Sequence, residues 1–265
     1  MLLPHMDLDL TLGCGQVFRW RKHGEWWSGV LGEGEIWLSQ TPEGIEVRGE
    51  VENTLLLKYF RQEDDLPAIY QDIARDPLIA ELVERYQGLR LICQDPWECC
   101  ISYLLASNAN FQRIQGMVES VCERFGTLLP GGRRAFPGPE EILEKRSQAE
   151  HCGLGYRCGW MVDMALDVME GRLDLDGLRS MKYSECIEAL KTCKGVGDKV
   201  ADCIALFSLD HMEAFPVDVR IRRVMRERYG VSGSLKKVRE FGQDHFGRYA
   251  GYPQEFLYLW EGERG

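Results

Sequence analysis

Two side chains in the C-terminal third of this 265-residue chain are spaced for chemistry: Lys199 and, nineteen residues later, Asp218. Lys199 falls in the first turn of a predicted helix, directly after Lys194-Gly195-Val196-Gly197. A helix start favours Asp or Glu, because the positive end of the helix dipole opposes an ammonium. A lysine there, partly buried, is expected to have a depressed pKa and to offer some neutral amine as a nucleophile. Asp202 and Cys203 follow at three and four residues, on the same helical face, and Asp202 as a partner would oppose that depression. Asp218 comes after Phe215-Pro216-Val217 and is expected to cap the next helix. A capping carboxylate accepts backbone N–H bonds, stays ionised and can stabilise a cation developing nearby. An amine and a fixed carboxylate suit displacement at a carbon with oxocarbenium character, such as C1′ of a deoxyribose losing its base. The plainer alternatives are a surface lysine and an ordinary cap.

The segment that delivers Lys199 carries its own signal. Two glycines flanking one apolar residue, between two predicted helices, allow a hairpin too tight for side chains. Gly195 and Gly197 permit unusual dihedrals, and N–H groups at the start of the second helix can face a phosphate. A helix–turn–helix corner without a ligand satisfies the same pattern.

The elements that must position this pair read in two textures. Gln16–Trp20, Trp26–Leu31, Glu35–Ser39 and Ile45–Arg48 are short and rich in aromatic and β-branched residues, with turn-like Gly and Pro between them. They predict an antiparallel meander. From about residue 52 the spacing turns helical: Leu55, Leu56, Tyr59 and Phe60 share one face, as do Ile79, Leu82, Val83 and Tyr86. Met161, Met164, Ala165 and Val168 form a stripe that is expected to be core. Cys186, Ile187 and Leu190 begin the helix before the hairpin; Val200, Ile204 and Phe207 mark the buried side of the helix after it. Ile221, Val224 and Met225 continue the helix capped by Asp218. The fold class is therefore α+β: an N-terminal antiparallel sheet domain with flanking helices (1–93), a helical domain (94–194), and a second helical domain carrying the hairpin exit (195–265).

Bulk properties set limits on function. Hydrophobic residues make up 45% and charged residues 28%, ordinary for a soluble globular chain. The first residues lack a basic region and a long apolar run, so neither a secretory signal nor a membrane span is expected. Ten cysteines, none in a CxxC pair and none with histidines at metal-ligand spacing, read as reduced thiols of a cytoplasmic protein. The formal charge of -10 argues against nonspecific coating of DNA. It leaves room for a site-specific enzyme, because Arg220, Arg222, Arg223, Arg226 and Arg228 cluster in one short stretch. A solvated helix face is the competing account of that cluster.

Gly195-Val196-Gly197-Asp198-Lys199 followed by Pro216-Val217-Asp218 resembles the helix–hairpin–helix DNA glycosylase superfamily. Five further stretches resemble its 8-oxoguanine DNA glycosylase branch: Gly15–Trp20, Ser107–Asn110, Gly153–Arg157, Lys199–Cys203 and Tyr249–Tyr252. Each is weak alone; their order and spacing are specific, and the match covers nearly the whole chain. The resemblance implies that Lys199 attacks C1′, expels the base and forms a Schiff base open to β-elimination, with Asp218 as the helping carboxylate. It implies that the Gly15 carbonyl accepts N7–H, a proton that 8-oxoguanine has and guanine lacks. An acceptor facing guanine N7 in a dry pocket would be left unpaired, so the discrimination is physically sound.

By the same resemblance, Cys203 and Tyr258 sandwich the extruded base and Gln254 reads its Watson–Crick edge, as base flipping requires. Asn108, Arg113, Tyr156 and Arg157 fill the vacated space and contact the cytosine opposite. Gly195, Gly197 and Arg220 meet the DNA backbone. The sequence departs from the pattern in three places. Tyr258 stands where animal relatives carry Phe, Ala109 where relatives often have a second Asn, and Arg220 where animal enzymes have His. The implied partner is double-stranded DNA containing 8-oxoguanine opposite cytosine, bound by a monomer. No cofactor is required, and a structural potassium or sodium ion is implied at the hairpin. No cysteine follows Cys203, which argues against the iron–sulfur branches of the superfamily. The alternatives are a glycosylase for another damaged base, whose alkylation-specific members generally lack the lysine, or a helix–hairpin–helix module that binds DNA without chemistry and needs neither Lys199 nor Asp218.

Overall fold

A computed structural model describes residues 6–264. The chain opens with α1 (Leu8–Gly13), capped by Asp7, and continues into a four-stranded antiparallel meander. Its strands are β1 (Arg21–His23), β2 (Trp26–Leu31), β3 (Gly34–Thr41) and β4 (Gly44–Arg48), in sequence order. Trp27 pairs with Leu38 and Leu38 with Val47, so the expected hairpins are in register. One expected strand is absent. Gln16–Trp20 forms no ladder; all five residues are buried, and side-chain bonds take the place of strand pairing at its start. The Gln16 side chain donates to the Thr11 and Arg90 carbonyls and accepts from the Ile92 N–H at 2.8 Å.

The helices follow as α2 (Asn53–Tyr59), α3 (Leu66–Ile73), α4 (Pro77–Arg85), α5 (Pro96–Leu105), α6 (Phe111–Phe125), α7 (Pro139–Glu144), α8 (Arg157–Met169), α9 (Leu175–Ser180), α10 (Tyr183–Lys191), α11 (Asp198–Ser208), α12 (Val219–Tyr229), α13 (Leu235–Phe246) and α14 (Gly251–Arg264). On α2 the buried side is Leu56 and Tyr59, with Phe60 just beyond; Leu55 points outward, against expectation. Its side chain instead lies over the Gly32 turn. On α8 Met161, Met164 and Ala165 are buried as expected of core. Two hydrophobic clusters result. One joins α1 and α2 to the sheet, and the larger runs from Leu66 through α5 and α11 to α14. α5 packs on α11, α6 and α8, while α14 packs on α12 and α4. The site elements are thus braced from several sides. Among the described residues no helix is long and apolar enough to cross a membrane, and all ten cysteines are unpaired.

The α10–α11 hairpin is closed by the Val196 N–H on the Cys193 carbonyl at 3.1 Å. Gly195 has φ +90, so the unusual dihedral expected of both glycines occurs here. A Cβ at Gly195 would lie 2.3 Å from the Trp160 ring and 2.9 Å from Leu104. Gly197 is extended, with φ -97 and ψ -178, and open space around its Cα. Neither backbone strain nor a neighbouring atom therefore requires glycine at this position. Replacing Gly195 by Ala combines left-handed strain with overpacking, and should cost about 1–3 kcal/mol. Thermal unfolding checks this, at roughly 2–4 °C in Tm per kcal/mol; an unchanged Tm contradicts the packing described.

Candidate active site

A cleft of about 700 Å³ opens between the hairpin, α5, α12 and α14. Lys199 stands in the first turn of α11, half-buried, with its ammonium 5.2 Å from the centroid of the Tyr103 ring. Asp218 caps α12, its carboxylate accepting the Ile221 N–H at 2.8 Å. Pro216 lies in the cleft wall and sets the bend before the cap. Both members of the sequence-derived pair therefore face one cavity.

The charge state of Lys199 differs from the sequence-based expectation. Burial does disfavour its ammonium, but the nearby Cys203 sulfur and Asp218 carboxylate outweigh that, and the amine is held above its ordinary value. Burial also pushes the Cys203 thiol up to about 12, so near neutral pH the sulfur is uncharged. Asp218 is then the formal counter-charge to the ammonium. Asp202 does not pair with Lys199, although it sits three residues on. Its carboxylate accepts from the Tyr183 hydroxyl and lies 3.5 Å from Arg239, fully buried behind the helix. Asp198 neighbours that network, 3.0 Å from Lys191 and 3.4 Å from Arg239. These bonds anchor the N-terminal turn that carries Lys199.

Cys203, Gln254 and Tyr258 line the same cleft, and so do Gly15, Asn108, Gly195, Gly197 and Arg220. Cys203 and Gln254 are 3% and 4% exposed, and Gln254 Oε1 has no hydrogen-bond partner among the described residues. A buried acceptor without a partner costs about 1–3 kcal/mol. A ligand N–H would recover that cost. Gly15 has φ +103, and a Cβ there would sit 3.8 Å from Tyr258 Cε1. The glycine therefore flanks the ring expected to stack. Its position is fixed by the next residue: the Gln16 carbonyl accepts from Tyr103 Oη and Gln94 Nε2, each at 3.0 Å. Arg220 is exposed and places its guanidinium 4.8 Å from the Tyr258 ring centroid.

Three expected DNA-contacting residues do not line the cleft. Arg113 is exposed in the first turn of α6, its N–H donating to the Asn110 cap at 2.9 Å. Tyr156 is exposed beside the cleft mouth, its hydroxyl 3.4 Å from Asn108 Nδ2 and from the Ser107 carbonyl. Arg157 is 3% exposed and spends its guanidinium on the Ser107, Asn108 and Leu154 carbonyls. These bonds brace the α5–α6 loop. That loop holds Asn108 at φ +53, a conformation Asn tolerates better than most residues. Residues that sequence reasoning did not assign to the site also line the cleft, among them Tyr103, Phe207 and Glu255. Tyr103 and Phe207 stack at 5.6 Å and look like core in sequence; Glu255 looks like any helix-surface acid. Among the described residues, no three His, Cys, Asp or Glu side chains meet to hold a metal.

Comparison with known proteins fits this geometry. Residues 3–100 match the family described as 8-oxoguanine DNA glycosylase, N-terminal domain. The chain is 33% identical to the N-glycosylase/DNA lyase OGG1 of Arabidopsis thaliana, over 97% of this chain and 77% of that protein. It superposes with a TM-score of 0.92 and 30% identity on the Clostridium acetobutylicum 8-oxoguanine glycosylase/lyase, solved with double-stranded DNA containing cytosine opposite 8-oxoG. That match covers 98% of this chain and 92% of the other. A 3-methyladenine DNA glycosylase from Archaeoglobus fulgidus shares the fold, with a TM-score of 0.80 and 21% identity over 99% of this chain and 97% of its own.

Proposed function

The chain belongs to the 8-oxoguanine DNA glycosylase family, and from that premise we propose that it excises 8-oxoguanine opposite cytosine from duplex DNA and then nicks the strand as a β-lyase. The observation that carries this reading is the single cleft holding Lys199, Asp218, the unpartnered Gln254 Oε1 and Gly15 beside Tyr258. The extruded base enters between Cys203 and the Tyr258 ring, beside which the Arg220 guanidinium already lies. Gln254 takes the Watson–Crick edge, and the Gly15 carbonyl accepts N7–H.

As the bond to the base lengthens, Asp218 stabilises the positive charge growing at the sugar. The Lys199 amine adds to C1′, the base departs, and loss of a proton with ring opening gives the Schiff base. β-Elimination then cleaves the 3′ phosphate. The hairpin N–H groups and Arg220 hold backbone phosphates, while Asn108, Arg113 and Tyr156 attend the vacated space and the cytosine. Arg157 supports them by bracing the loop that carries Asn108. The hairpin offers backbone carbonyl oxygens, among them that of Cys193, which also accepts the Val196 N–H. That donor type fits the implied monovalent cation, which would tie the turn together.

The test is single-turnover excision on a panel of duplexes carrying 8-oxoguanine, 3-methyladenine or uracil, each opposite all four bases. We expect 8-oxoguanine opposite cytosine to be processed fastest, with strand nicking following. Faster release of the alkylated base would favour the second reading, a glycosylase for another lesion.

A further inference from the structure

The mechanism above leaves one difficulty. Lys199 must be neutral to attack, yet its surroundings hold the proton on. A proton acceptor is needed inside the cleft, and two groups already assigned are unsuited to it. Asp218 Oδ1 is committed to the Ile221 N–H as the cap of α12. Cys203 is an uncharged thiol near neutral pH, so it has no free basic charge to offer.

Glu255 differs from both. It lies on α14 between Gln254 and Tyr258, lines the cleft, and is 3% exposed. Its Oε1 is buried with no hydrogen-bond partner among the described residues. Near it stand the Cys14 thiol beside Gly15, Tyr103 of α5, Lys199 of α11, Asp218 at the cap of α12 and Tyr258 of α14, and Cys203 and Arg220 line the same cleft. Buried acids are retained with difficulty unless paired. A full carboxyl with a spare oxygen on the floor of a base pocket therefore calls for a chemical reason.

Building on the function proposed above, we propose that Glu255 accepts the proton Lys199 sheds before attack and returns it to the departing base. The balance is simple. The Lys199 ammonium and Glu255 carboxylate become neutral amine and neutral acid. The amine forms a bond to C1′ while the bond from C1′ to the base breaks, its electron pair leaving with the purine. The Glu255 proton then neutralises the purine anion, restoring the carboxylate. Burial, countered by Cys14 and Lys199 and reinforced by Asp218, pushes Glu255 up to about 7. A group so poised can gain and lose a proton at working pH.

The experiment is the pH profile of single-turnover base excision by the full-length wild type and by Glu255→Gln. In the wild type the carboxylate form is the active one, so the rate should rise with pH through about 7 and then level. In E255Q that inflection should vanish. The plateau should fall roughly 10²-fold, and the rate should keep rising into alkaline pH, where solvent alone deprotonates Lys199. Superposed profiles overturn the proposal. Should E255Q lose its fold, Glu255→Asp carries the same test: a displaced inflection supports the role and an unmoved one overturns it. A wild type with no activity on 8-oxoguanine contradicts the proposed function instead, so the two failures are distinguishable.

Discussion

Lys199→Gln should abolish strand nicking and slow base excision by on the order of 10³-fold or more, while leaving the protein folded and able to bind lesion-containing duplex. The reasoning is that an amide of similar length fills the place beside Tyr103 but cannot form a Schiff base. What remains is attack by water on a sugar whose cationic character Asp218 still stabilises, so a slow glycosylase without lyase activity should persist. Separate assays of base release and of strand cleavage check this. A variant that nicks at a rate near wild type would show that the amine is not the nucleophile.

Asp218→Asn is the second large effect, and two consequences of losing the charge compete. Without the carboxylate the Lys199 ammonium loses a stabilising partner, which eases its deprotonation. Even a full unit of pKa is worth only about 1.4 kcal/mol. Against it stands lost stabilisation of the developing cation, typically about 2.7–4 kcal/mol for a preorganised group in a dry site. The loss wins, so excision at neutral pH should fall by roughly 10- to 100-fold once the two are combined. Stability should barely change, because Asn caps a helix about as well as Asp and can still accept the Ile221 N–H. Equal rates for wild type and variant, measured with saturating enzyme, would remove Asp218 from the reaction.

What was legible in the sequence was chiefly local. The Asp218 cap, the hairpin with Gly195 and the buried face of α12 follow from spacing and capping rules that need no knowledge of distant residues, whereas α11 is buried throughout Val200–Ser208 and not only at the expected Val200, Ile204 and Phe207. The segment Gln16–Trp20 was misread as a strand because its partners are the Thr11, Arg90 and Ile92 backbones, the latter two more than seventy residues away. The charge of Lys199 was misjudged for a similar reason. Helix position alone predicts a depressed value, whereas the outcome depends on Asp218, delivered by another helix, and on a neighbouring thiol. Asp202 shares a helical face with Lys199 on paper, yet Tyr183 and Arg239 draw it away. Trp160 could not be recognised as the reason for a glycine at position 195, nor Glu255 as a cleft acid, until α8 and α14 were packed in place.

The central claim is that the Lys199 amine becomes covalently attached to the sugar. Borohydride reduction during turnover on an 8-oxoguanine–cytosine duplex, followed by digestion and mass spectrometry of the trapped adduct, measures this directly. The account predicts one modified peptide, with the sugar remnant on Lys199 and no adduct from Lys199→Gln. A remnant on any other residue, or trapping that survives in that variant, would contradict it.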